Sequence, residues 1–172
     1  MKRQRGVFSI ELVFVLFAMG MFLFFIFDSG YQVVQSSLLN RTSNSLVSVL
    51  KERSAFFSQR SQSIRWELDS QQASQIHQMA LRLLAERSDN VRVSIGLKSG
   101  VKSEQVFTAG NNSISCNAKP IQNAFPEDSQ SSLNIYRVTV CRRVPAFFEN
   151  GVLGDAQKTS RILQSTSLFV GR

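Results

Sequence analysis

The opening stretch Met1–Phe27, MKRQRGVFSIELVFVLFAMGMFLFFIF, decides how the rest of the chain is read. Lys2, Arg3 and Arg5 make a basic head, and Gly6 ends it. From Leu12 to Phe27 there are 16 residues without a charge, and Glu11 is the one charge between Val7 and Phe27. At 1.5 Å per residue the 21 residues Val7–Phe27 make a helix of about 32 Å, enough for a hydrocarbon core of about 30 Å. Leu12–Phe27 alone spans only about 24 Å, so the helix crosses only if the turn around Glu11 is included. Half of the 14 phenylalanines (Phe8, Phe14, Phe17, Phe22, Phe24, Phe25 and Phe27) lie here.

Three readings of this segment compete. A cleavable secretory signal needs small residues after the apolar run, whereas this run ends Phe27-Asp28-Ser29-Gly30-Tyr31. A plain signal anchor explains the apolar run but not Glu11, because a carboxylate at membrane depth is costly and implies a specific partner. The third reading accounts for both. Arg5-Gly6-Val7-Phe8-Ser9-Ile10-Glu11 resembles the processing site of type IV prepilins, in which a short basic leader ends in Gly and Glu is the fifth residue of the mature chain. The resemblance implies cleavage by a prepilin peptidase between Gly6 and Val7. It also implies that Glu11 sets register in an assembly by pairing with the free amine of a neighbouring subunit. The basic head favours the cytoplasmic side, which sends the chain beyond the apolar run outward, into the periplasm of a bacterium.

The 172-residue chain carries a formal charge of +8 and a pI near 10.2. Removing the leader takes three positive charges, leaving 8 − 3 = +5. The remaining Lys and Arg are scattered among acids, the pattern of a solvated face, so no nucleic-acid partner is expected.

Beyond the membrane segment, Tyr31, Val34, Leu38, Leu39, Leu46, Val49, Leu50 and Phe57 recur at helical spacing and extend the helix outward, with Gly20 and Gly30 as weak points. Ile64, Trp66 and Leu68 alternate briefly. A second helix is expected over Ser70–Arg87, with Ser70 as N-cap and Ile76, Met79, Ala80, Leu83 and Leu84 on one face. Val91, Val93, Ile95 and Leu97 then alternate with polar or small residues as a half-buried strand. Gly100 suggests a turn, and 105–109 a returning strand. Pro120–Ser132 reads as an irregular loop, Asn134–Cys141 as a strand stopped by Pro145, and Arg161–Val170 as a last strand. Phe147 and Phe148 are expected in the core. The fold class is α+β and pilin-like: a long N-terminal membrane-spanning helix, a second helix and a small antiparallel sheet. The expected division is a leader at 1–6, an assembly helix at 7–30 and an exported domain at 31–172.

Cys116 and Cys141 both fall in the exported part, where thiols oxidise. A structural disulfide is expected. The rival, a redox or metal pair, lacks a Cys-x-x-Cys spacing or clustered His. The single His, His77, reads as a surface or boundary residue of the second helix. No nucleophile motif, zinc-binding motif or phosphate loop is present, so neither an enzyme nor a cofactor is expected.

The resemblance narrows further. Gly6-Val7-Phe8-Ser9-Ile10-Glu11-Leu12 with its Phe-rich run is one part of it. Another is Ile26-Phe27-Asp28-Ser29-Gly30-Tyr31-Gln32, which leads to Leu50-Lys51-Glu52-Arg53. The C-terminal Ser167-Leu168-Phe169-Val170-Gly171-Arg172 is the third. Together they resemble the TadF branch of the TadE/TadF pseudopilins, which serve tight-adherence (Tad/Flp) type IV pilus machines. Major pilins of that system have Tyr directly after the Glu and are far shorter. Leu12 in that place implies a minor component instead. General type IV minor pilins and type II secretion pseudopilins remain as neighbours. The implied partners are the peptidase, TadE-like and Flp-like pilins, the inner-membrane assembly platform and the membrane itself. The implied location is the bacterial inner membrane with the exported domain in the periplasm, or an extracellular pilus. A signal-anchored periplasmic binding module is the alternative from another class.

Overall fold

A computed structural model describes residues 5–57, 68–99, 103–121, 134–147 and 160–170, with side chains in the first helix from Ser9 to Glu52. Two helices precede four strands: α1 (Arg5–Phe57), α2 (Ser70–Leu84), β1 (Val91–Ser99), β2 (Gln105–Gly110), β3 (Asn134–Pro145) and β4 (Ser160–Val170). The four strands form one antiparallel sheet in the order β2-β1-β3-β4. The expected α+β class, with a long apolar helix, a second helix and a small antiparallel sheet, is what is found. The alternation at Ile64 and Trp66, the turn at Gly100, most of the Pro120–Ser132 loop, Phe148 and the head through Gln4 lie outside the described residues.

The chain folds as two compact units, one of 1–35 with 145–161, the other of 36–144 with 162–172. In the second unit, Leu39, Thr42, Ser43, Leu46, Val47 and Leu50 make the buried stripe of α1. Their spacing of three and four residues keeps them on one helix face. This differs from the purely apolar reading, since Val49 is exposed while Thr42 and Ser43 are buried. The hydroxyls are accommodated because they are bonded. Thr42 donates to the Leu38 carbonyl at 2.9 Å. Ser43 Oγ lies 2.8 Å from Ser165 Oγ and 2.7 Å from Ser167 Oγ on β4.

α2 starts at Ser70 as expected, but its cap lies one residue earlier than the expected Ser70. Asp69 is the N-cap, and Gln72 Oε1 reaches back to accept from its N–H at 3.2 Å, the reciprocal contact of a capping box. The helix stops at Leu84 because Ala85 takes the left-handed conformation, with φ 50°. Its buried face is Ala73, Ile76, His77, Ala80 and Leu84, while Met79 and Leu83 are exposed. His77 is therefore a packed residue and not a surface one. Its Nε2 lies 3.4 Å from the Val91 carbonyl.

The register of β1 with β3 sets Val93 opposite Val140, Ile95 opposite Val138 and Leu97 opposite Tyr136. This face joins the helix residues in one core. The sequence led us to expect a half-buried strand, but Ser94 and Gly96 of β1 are buried as well. The second face is covered by 111–121, whose Ile114 and Ile121 are fully buried. Arg92 Nη1 donates to the Ile114 carbonyl at 2.9 Å, Arg137 donates to the Lys119 carbonyl, and Gln164 donates to the Asn117 carbonyl at 3.2 Å. Cys116 and Cys141 are joined by a disulfide, which fastens the same segment to β3. β3 runs on beyond Cys141 and ends at Pro145, the residue expected to stop it.

Arg137 and Arg142 each form an ion pair within this unit. Arg137 is fully buried and meets Glu104 at 2.7 Å. Burial pulls the guanidinium down from its ordinary value, and Glu104 partly restores it. Gly96 makes room for the pair: a Cβ there would collide with Glu104 Oε1 and lie 3.0 Å from Arg137 Nη2. Gly110, at φ +108°, ends β2 where a Cβ would come within 2.8 Å of His77 Nε2. Arg142 pairs with Glu86. Burial pushes the Glu86 carboxyl up, but hydrogen bonds from Asn90 and Arg142 and the charge of Arg142 outweigh it, so the carboxyl sits below its ordinary value.

Candidate assembly and membrane segment

The functional signal of the sequence lies on the N-terminal part of α1. A helix that is apolar on every side belongs in a core or in lipid, and here no core covers it. Side chains from Ser9 to Phe27 are exposed, with Gly20 alone intermediate. Phe14 is 70% and Phe27 is 74% exposed, although these are among the most apolar side chains in the chain. Among the described residues this is one helix long and apolar enough to cross a membrane, and the chain itself buries none of that window. The 19 residues from Ser9 to Phe27 rise about 28 Å. Neither Gly20 nor Gly30 interrupts the helix.

Gly6 and Val7 lie in the first turns of α1. Glu11 follows one turn later, exposed, with no hydrogen bond or ion pair among the described residues. A bare carboxylate inside an apolar surface is unfavourable once that surface leaves water, unless a cation meets it there.

The C-terminal end of the apolar run is followed by a residue whose role the sequence does not disclose. Asp28 is the first polar residue after Phe27, and nothing in the neighbouring sequence marks it as buried. It is 5% exposed. It accepts from Gln32 Nε2 at 3.2 Å and from the Phe147 backbone N–H at 3.3 Å, and Arg161 Nη1 lies 3.5 Å away. Tyr31 stacks edge-on against Phe147, ring centres 5.5 Å apart. Asp28, Tyr31, Gln32 and Gln35 form the covered stripe of this part of α1, while Val33 and Val34 are bare. Phe147, expected in the core, is instead 53% exposed and packs by one edge. The Phe147 and Arg161 partners of Asp28 lie more than 100 positions away, so no local pattern could have pointed to it.

Among the described residues no group of three or more His, Cys, Asp or Glu side chains could hold a metal ion. Cys116 and Cys141 are joined to each other, and His77 is packed against Val91 and Gly110.

A bare apolar helix continuing into a small α+β head defines a pilin-like subunit. The family model described as "Putative tight adherence pilin protein F" (TadF) matches residues 1–172, the whole chain. The chain belongs to that family and is a pilin-like subunit of the tight-adherence pilus system. The family is one of structural proteins, and its members act with other pilus components. No curated protein and no solved structure matches the chain significantly.

Proposed function

We propose that the chain is a minor pilin or pseudopilin of a Tad/Flp pilus, a non-catalytic subunit that a prepilin peptidase cuts between Gly6 and Val7. Residues 1–6 are the leader, 7–30 the assembly helix and 31–172 the exported domain. The observation that carries the reading is Glu11, unpartnered among the described residues on a helix whose surroundings are apolar and uncovered. Such a helix is stable in lipid or in a bundle of like helices. In the bundle, opposite charges brought together in low dielectric relieve a cost that each bears alone. The amine of Val7, freed by cleavage, is the cation such a bundle offers. Glu11 then fixes the stagger between neighbours, while Phe-rich packing supplies most of the contact.

TadE-like and Flp-like pilins and the inner-membrane platform are the partners of this reading. The head resides in the periplasm until assembly and on the pilus afterwards. Replacing Glu11 with Ala tests the assignment. The variant should still fractionate with membranes but co-purify poorly with the other pilins. Normal co-purification would remove Glu11 from the mechanism.

A further inference from the structure

Within the first unit, the described residues that return to α1 meet it at one level, just beyond the apolar run. The Phe147 N–H and Arg161 converge on Asp28, and the Phe147 ring stands on Tyr31. Tyr31 is four residues past Phe27, which places it about 6 Å farther along the helix axis. The polar layer on each side of a bilayer is about 5–8 Å thick, since the whole bilayer takes about 40–45 Å and its hydrocarbon about 30 Å. With the apolar run in the hydrocarbon, Tyr31 and Phe147 therefore fall inside the head-group layer. Aromatic side chains with one apolar and one wet side concentrate at that depth. Phe147 remains 53% exposed although the Asp28 contact holds its backbone in place, and its ring stands on Tyr31, between the levels of the exposed side chains Phe27 and Val34 along α1. Asp28 itself is hydrogen-bonded and ion-paired, which lets a carboxylate sit at this boundary with little contact to water.

We propose that the Tyr31–Phe147 pair is a lipid contact: Phe147 dips into the head-group and upper acyl layer, and Asp28 is the positioning residue that holds it there. The consequence is that the subunit touches the membrane at two sequence-distant places, the α1 span and residues 145–147. Leaving the bilayer for a pilus then requires both contacts to be released. The inference rests on the reading that the apolar part of α1 lies in the bilayer.

The test uses the full chain in phosphatidylcholine vesicles brominated at defined acyl depths. Trp66 is the one tryptophan, so a Trp66→Phe background gives a single reporter when combined with Phe147→Trp or, as a depth control, Phe24→Trp. The control should be quenched most by deep bromines. The Phe147→Trp chain should show blue-shifted emission and be quenched most by the shallowest bromines. Adding Asp28→Asn should shift that emission back to the red. A water-like, unquenched reporter at 147 with a quenched control would overturn the lipid contact and leave the membrane span standing. A control that is also unquenched would overturn both. If the Trp66→Phe background does not fold, a spin label decides between the same outcomes. Both natural cysteines are bonded, so Phe147→Cys gives one labelling site, read by its accessibility to oxygen against a water-soluble nickel complex.

Discussion

Single residues explain why this small domain tolerates charge in its interior. The side chains of Arg137 and Glu104 are only 2% and 12% exposed. A pair of this kind adds little net stability, but removing one partner strands the other. Glu104→Ala should therefore lower unfolding free energy by about 3–5 kcal/mol, read from denaturant midpoints of the full chain in detergent. Glu86 makes a different prediction. Its carboxyl sits below the ordinary value of 4.5 through Asn90 and Arg142, which outweigh burial. A lowered folded value contributes stability that is present above the unfolded value and lost as pH falls through the folded one. Stability should thus decline as pH drops below about 4.5, and Glu86→Gln should flatten that part of the pH profile at a cost of about 1–2 kcal/mol near neutrality. An unchanged acid slope in the variant would show that Glu86 is not the group responsible. Neither pair was visible in the sequence, because Glu104 and Arg137 are 33 positions apart and Glu86 and Arg142 are 56 apart.

Among helices and strands, legibility followed how local the deciding interaction was. Both helices and all four strands could be read, since each carries its own periodicity. The buried stripe of α1 was read only partly: Leu39, Leu46 and Leu50 announced themselves, whereas Ser43 is buried through its bonds to Ser165 and Ser167, more than 120 positions away. The covered second face of β1 was missed for a similar reason, because the cover is a loop without regular structure. The disulfide fastens that loop. Its ends are 25 residues apart, so Cys116→Ser with Cys141→Ser should cost about 3 kcal/mol by the loop-entropy estimate. Thermal unfolding of the variant, compared with the unaltered chain with and without reductant, measures this. An identical transition in all three would mean that the contacts of Arg92, Arg137 and Gln164 hold 111–121 without the bridge.

Considered as one chain, the protein meets two separate demands. The head of 36–144 and 162–172 has a core of its own, built from two helices and a sheet. The side chains of 9–27 bury almost nothing against the chain and so depend on lipid or on other subunits. The long apolar helix was the most legible feature of the sequence, because transfer of a continuous Phe-rich run from water dominates every other local preference; the grouping of 145–161 with 1–35 was not legible. The proposed roles of Gly6, Val7 and Glu11 rest on the spacing that carries the resemblance, whereas Asp28 was illegible because the fold supplies its partners. Assembly through Glu11 requires that Val7 carry a free amine, and only cleavage after Gly6 provides one. Intact-mass and N-terminal sequencing of the protein from its native membranes measures this. The expected species begins at Val7 and lacks the six-residue basic leader; a chain that still begins at Met1 in the mature pool would contradict it.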